Sequence, residues 1–172
     1  EEEELKKIDG FLDIYSNDDD SVFFLKLDKE DLNEKFIYFS YVMNAPQGST
    51  LTGGLPSDGK VYEFRSFKKD KIGLYQINTS YIKGDETNNI AKSSITNITE
   101  AFVEVFKPTA RTEDSVLINL NSIILSEKMD SISYVPSEYR EYISVDYGMP
   151  DEAKTFVKNI YNNKTNTAFE VT

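Results

Sequence analysis

The strongest constraint on this chain is a series of short aromatic and β-branched runs, most of them closed by a polar turn. The clearest is Lys60 to Phe67, which alternates with period two. Tyr62, Phe64 and Ser66 fall on one face, and Val61, Glu63, Arg65 and Phe67 on the other. Lys68-Lys69-Asp70 makes a turn, and Lys71 to Asn78 returns as the second arm of a hairpin. Gly73 inside that arm marks a bulge or a close backbone approach.

The same reading extends along the chain. Gly10 to Tyr15 and Val22 to Leu27 form an antiparallel pair across the turn Ser16 to Asp20. Asp28 and Asp31 make a weak capping box for a short helix over Lys29 to Asn33. Phe36 to Met43 is a long aromatic and β-branched run and is predicted as a central strand. Asn44 to Lys60, punctuated by Pro and Gly, is a long loop. Ala101 to Phe106, ended by Pro108, and Ser115 to Leu120 are further strands, with a helical turn at Ile123 to Leu125. Short helices are expected at Ile90 to Thr99 and Ser137 to Ile143. Ala153, Phe156, Val157 and Ile160 form one helical stripe within Glu152 to Tyr161. Thr167 to Val171 reads as a last strand, an unpaired edge open to a partner's sheet.

The fold class that follows is mainly β (α+β), an antiparallel sheet built from hairpins with a few short helices. Residues 1–9 read as a flexible acidic N-terminus. Residues 10–172 read as a single β-rich domain, a segment of a longer protein. No apolar run reaches the roughly 20 residues that span a bilayer, so membrane insertion is not expected. Glu1 to Glu4 is the opposite of the basic start of a signal peptide.

Chemistry is bounded by what is missing. The chain contains no histidine and no cysteine. That removes the commonest general base and transition-metal ligand, the thiol nucleophile and the disulfide. Ser–His and Cys–His catalysis are excluded, and zinc would have to be held by carboxylates alone. A Ser–Lys pair is compatible with the composition, but no spacing singles one out. The net charge of −11 repels phosphate backbones and anionic lipid, so nucleic acid is not an expected partner. Asp18-Asp19-Asp20 resembles half of a calcium loop, yet it lacks the Gly and the distal Glu; a solvated turn is the stronger reading. Tyr15, Tyr38, Tyr41, Tyr62, Tyr75 and Tyr81 could stack on sugars, or pack half-buried with hydroxyls in water. Asn78, Asn97 and Asn163 begin N-x-S/T sequons that matter only in a eukaryotic secretory pathway. No catalytic residue, metal ligand or cofactor site is assigned.

The order of segments carries a resemblance. Gly10 to Tyr15, Val22 to Leu27, Leu32 and Phe36-Ile37-Tyr38 are followed by Leu51-Thr52-Gly53-Gly54 and Val61 to Arg65. Asp70 to Leu74, Asn78, Tyr81, Ile98 to Phe106, Ser115 to Asn119 and Phe156 to Val171 continue it. This pattern resembles the domain of unknown function that precedes the catalytic domain in a family of large bacterial zinc-dependent, metzincin-like metallopeptidases. The resemblance implies a non-catalytic accessory domain of a secreted or periplasmic protein, packing beside or gating the peptidase domain. The family's H-E-x-x-H-x-x-G-x-x-H helix does not occur in this chain, so no catalytic residue carries over. The alternative is a free-standing β-rich module that binds a protein partner or self-associates through its sheet edges.

Overall fold

The computed structural model of the protein describes residues 5–44, 54, 56–79, 100–129 and 153–172. Along the chain, β1 (Lys6–Ile8), β2 (Ile14–Ser16) and β3 (Phe23–Asp28) come first. A meander of β4 (Lys35–Tyr38), β5 (Lys60–Phe67), β6 (Lys71–Ile77) and β7 (Ala101–Phe106) follows. Then come β8 (Ala110–Arg111), β9 (Ser115–Asn119), the single helical turn α1 (Asn121–Ile124), and the hairpin β10 (Val157–Asn162) and β11 (Thr167–Val171). Among the described residues every strand pairing is antiparallel, as the hairpin-built sheet reading expects.

The meander is one sheet, in the order β4-β5-β6-β7. It is inserted between two neighbours of the other sheet, whose order is β1-β2-β3-β9-β8. Leu25 of β3 sits opposite Ile118 of β9, so segments far apart in sequence close the first sheet. The strand pleat decides which side chains go inward. In β3, Phe23, Leu25 and Leu27 are buried while Phe24, Lys26 and Asp28 are only partly so. Ile14, Leu25, Leu27, Val116 and Ile118 from the first sheet meet Tyr62, Phe64, Ile72, Leu74 and Phe106 from the second in one buried cluster. The two sheets therefore face each other across a shared core, as in a β-sandwich. Phe36 stacks on Phe64 at 5.4 Å between ring centroids, and Tyr62 donates its phenol to the Met129 carbonyl at 3.4 Å. The buried hydroxyl is thereby satisfied.

The β5–β6 hairpin forms as expected, and its register sets Phe64 opposite Leu74. Asp28 and Asp31 do form a capping box, and it starts a 3-10 turn over Lys29–Asp31. Five expectations change. Lys6–Ile8, expected within the flexible residues 1–9, is a strand because β2 pairs with it, Ile8 opposite Ile14. The first predicted strand starts later, at Ile14, because the chain up to Asp13 turns out of β1. The run Phe36 to Met43 is an edge, not a central strand: β4 ends its sheet. The helical stripe in Glu152 to Tyr161 is overridden, since Val157–Asn162 pairs with Thr167–Val171 as β10. Thr167–Val171 is accordingly not unpaired, having β10 along one side. The helices expected at Ile90 to Thr99 and Ser137 to Ile143, the Gly53 position and most of the loop after Asn44 lie outside the described residues.

The C-terminal hairpin is fastened by one amide. Asn162 Nδ2 donates to the Ile8 and Leu12 carbonyls, each at 2.8 Å, and its Oδ1 accepts from the Thr167 hydroxyl at 2.7 Å and from the Leu12 N–H at 3.3 Å. Gly10 lies so close that a Cβ there would collide with the Asn162 side chain and carbonyl. Phe169 meets Phe23 edge-on at 6.4 Å and packs against the core. At the open end, Phe156 and Thr172 exchange two backbone hydrogen bonds of 2.9 and 3.0 Å.

Two substitutions test this architecture. Leu74→Ala empties a fully buried position, and a loss of about 2–5 kcal/mol in urea unfolding is expected. Gly10→Ala forces Asn162 aside; about 1–3 kcal/mol is expected for the overpacking, together with faster tryptic cleavage at Lys158 and Lys164 as the hairpin lifts. Unchanged cleavage would show that Asn162 does not hold it.

Candidate functional site on the outer face of the four-stranded sheet

The meander turns one face to the core, and its other face is also apolar. Register places Ile37, Val61 and Ile77 in one row across β4, β5 and β6. Tyr75 and Phe102 pair in the next row, across β6 and β7. Phe102 packs 5.1 Å from Phe67 and 5.0 Å from Tyr75. Gly73 makes room for these rings: a Cβ there would lie 2.8 Å from the Tyr75 ring and 3.0 Å from that of Phe102. The β6–β7 register shifts just beyond it, between Leu74 and Tyr75. Of the bulge or close approach expected at Gly73, the close approach is present, made by the two rings, while the bulge lies beside it with Val103 of β7 as the extra residue.

Arg65 sits within this face. Its Nε donates to Glu63 at 2.6 Å and its Nη1 to Glu100 at 2.5 Å, and its guanidinium lies 4.8 Å from the Tyr75 ring centroid. Glu63 is almost fully buried. The hydrogen bond to Glu63, followed by that to Glu100, pushes the Arg65 pKa above its ordinary value. Two carboxylates and an aromatic ring thus engage this cation, so it shapes the face and is not presented to a ligand.

Exposure runs along β4 and beyond it. From Lys35 to Met43 the odd-numbered residues are exposed and the even-numbered ones half-buried. Ile37 is 73% exposed, Phe39 56%, and Tyr41 and Met43 53% each; across the sheet Phe102 is 46% exposed. Past Tyr38 the extended chain is tied to the segment around Ser57. Ser40 N–H donates to the Ser57 hydroxyl at 2.9 Å, Ser57 N–H to the Ser40 carbonyl at 2.6 Å, and Gly54 N–H to the Val42 carbonyl at 2.7 Å. An open cleft of about 340 Å³, lined by Gly59, Lys60, Val61, Gln76, Ile77 and Asn78 among others, borders the same sheet.

The other sequence candidates are scattered. Asp18-Asp19-Asp20 forms a turn in which Asp19 and Asp20 bond to neighbouring hydroxyls, and Asp20 also faces Lys6 of β1 at 3.7 Å. Asp19 accepts the Ser21 hydroxyl at 2.6 Å, Asp20 accepts that of Ser16 at 2.6 Å, and Asp20 has a φ of 53°. The Ser21 hydroxyl bond, reinforced by the Ser21 N–H, lowers the Asp19 pKa below its ordinary value. Among the described residues no group of three or more carboxylates converges as a metal site. The tyrosines do not form one surface: Tyr62 is in the core with Tyr38 against it, Tyr75 lies under Phe102, and Tyr41 is exposed. Tyr81 lies outside the described residues. The sequence reading missed the exposed stripe, because Phe36 to Met43 is apolar at both parities and shows no polar face.

A second polar cluster sits on the C-terminal hairpin. Lys158 is the extra residue where the β10–β11 register shifts, and its Nζ donates to Glu170 at 2.7 Å. Glu170 also accepts from Asn159 at 2.6 Å and from the Tyr161 hydroxyl at 3.2 Å. The Lys158 bond, then the Asn159 bond, lowers the Glu170 pKa below 4.5, and Glu170 in turn raises that of Lys158 above 10.5. A depressed carboxylate contributes its stabilisation above the ordinary value and loses it as pH falls through the depressed one. The lysine side is lost only as pH rises through its raised value. A carboxyl ¹³C NMR titration is expected to place the Glu170 midpoint below 4.5, and Lys158→Met to move it upward; a midpoint indifferent to Lys158→Met would rule the pairing out. Comparison with protein-family models, with curated proteins and with solved structures finds no match to this chain.

Proposed function

We propose that this chain is a non-catalytic protein-binding module that docks through the outer face and β4 edge of its four-stranded sheet. The observation that carries the reading is the exposed stripe Ile37, Phe39, Tyr41 and Met43, with Phe102 across the same face. Large apolar side chains left in water together mark a contact surface. They stand out in a chain of which 28% is charged. The absence of histidine and cysteine supports a role in contact over one in bond cleavage. An adjacent metallopeptidase domain, the neighbour implied by the sequence resemblance, is one partner the face would suit, with Phe102 and Ile37 against it.

A photo-reactive residue at Ile37 or Phe102 tests the reading in source cells. Discrete protein adducts are expected from both positions and not from Lys29, on the other sheet's connection. Equal labelling from all three would overturn it. Casein incubated with the purified chain, with and without zinc, is expected to remain intact. Turnover that co-purifies with the chain would replace the binding reading by an enzymatic one.

A further inference from the structure

We infer that the protein partner is acidic, and that an extended, carboxylate-rich segment of it docks on the lysines gathered at the β5–β6 turn end of the four-stranded sheet. The inference rests on the binding-module reading and adds the chemistry of the partner. Three observations carry it.

The first is a local reversal of charge. Lys68 and Lys69 lie in the β5–β6 turn, and Lys71 opens β6 opposite Phe67. Ile72 faces Phe106, which brings Lys107, one residue on, level with Lys71. All of these lysines are exposed, and Asp70 is the one acid in the turn. Neighbouring strands lie about 5 Å apart, so the ammonium groups crowd one end of the sheet. The chain as a whole carries −11, so its net negative charge lies elsewhere.

The second is that these cations are uncommitted. Among the described residues, Lys7, Lys26, Lys29, Lys128 and Lys158 each meet a carboxylate, and Arg65 meets two. Lys68, Lys69, Lys71 and Lys107 meet none among the described residues. The other carboxylates of the same sheet are taken. Arg65 holds Glu63 and Glu100, while Lys128 and the Val105 N–H hold Glu104. Lys35, Arg111 and Lys164 also lack a described carboxylate, but they are single charges, one on each sheet or its turn.

The third is placement. Lys68 has a φ of 50°, a region that Gly or Asn takes more readily, and its ammonium lies 5.4 Å from the Phe67 ring centroid. Phe67 packs on Phe102, which is 46% exposed. Charge and apolar contact therefore adjoin on the proposed docking face.

An extended peptide rises about 3.3 Å per residue, so a short acidic stretch spans these lysines. A nucleic-acid duplex needs a longer track of cations and would run onto acidic surface. A planar anionic bilayer would face that surface too. At physiological salt the screening length is about 8 Å, which leaves lysines in contact effective and mutes the distant acids of this chain.

The test is a ¹H–¹⁵N NMR titration with hexaglutamate, at about 20 mM and about 500 mM salt. Shifts are expected at Phe67 to Lys71 and at Phe106 and Lys107, and are expected to vanish at the higher salt. Substituting Lys68→Gln, Lys69→Gln and Lys71→Gln together is expected to weaken hexaglutamate binding about tenfold, and photo-adducts from Phe102 in step, at up to about fivefold per exposed ion pair. The urea midpoint is expected to hold, since all three side chains are exposed. Lys107→Gln, outside the turn, is expected to weaken both readouts in the same direction, which keeps the test standing if the triple variant does not fold. Lys164→Gln is expected to change neither. Shifts spread evenly over the other lysines overturn the inference. So do phosphatidylcholine vesicles with about 30% phosphatidylserine that bind through the tip where hexaglutamate does not. Photo-adducts from Ile37 and Phe102 that persist at full yield in the triple variant overturn it while leaving the binding module intact. Adducts missing from the unsubstituted chain would instead sink the module, and this inference with it.

Discussion

The two-sheet core covers one face of each sheet, and the four-stranded sheet carries large apolar side chains on both. That mismatch organises the rest of the structure. The inner face contributes Tyr62, Phe64, Ile72, Leu74 and Phe106 to the shared core. On the outer face, groups among the described residues satisfy one another: Arg65 between Glu63 and Glu100, its guanidinium against Tyr75, and Phe102 packed on Phe67 and Tyr75. Burying Glu63 beside a fixed guanidinium is tolerable because the charge remains paired. Gly73 is the backbone counterpart of this arrangement, since any side chain there would displace the rings that cover the face.

The first sheet solves a different problem. β3 and β9 are joined through the whole meander, so their pairing closes a long loop at an entropic cost. Local devices hold its margins. The Ser16 to Ser21 turn is laced by its own side chains, and Asn121 joins α1 to the Phe23 N–H at 2.9 Å and the Ser21 carbonyl at 2.8 Å. Asn162 does the same for the C-terminal hairpin, with both amide protons and its oxygen engaged. Neutral amides suit such positions in a chain of this charge. A carboxylate at position 162 would accept but could not donate to two carbonyls.

What the sequence disclosed follows from where the alternation was visible. Lys60 to Phe67 interleaves polar and apolar residues, and its hairpin and the close packing at Gly73 were legible. Val157–Asn162 was misread because Ala153, Phe156, Val157 and Ile160 fit a helical period by spacing alone. The partner that makes it a strand, β11, begins only after an Asn-rich turn. The candidate site was hidden for a related reason. Phe36 to Met43 is apolar at every position but Ser40, so the residues facing the core and those facing water look alike in one dimension. The stacking of Phe36 on Tyr62 and the edge-on contact of Tyr38 with the same ring separate the two sets.

Charge placement gives that exposed stripe its meaning. Thirty acidic residues against nineteen basic ones keep copies of this protein apart over most of their surfaces. Among the described residues, several bases are already paired: Lys7 with Asp13 at 3.0 Å, Lys26 with Asp28 at 2.8 Å, Lys29 with Asp114 at 3.0 Å. An acidic partner is drawn to the exposed lysines of the β5–β6 turn, and a basic one would find its best contacts away from β4. The uncharged stretch from Phe36 to Met43 is where the net charge exerts least influence and apolar contact most.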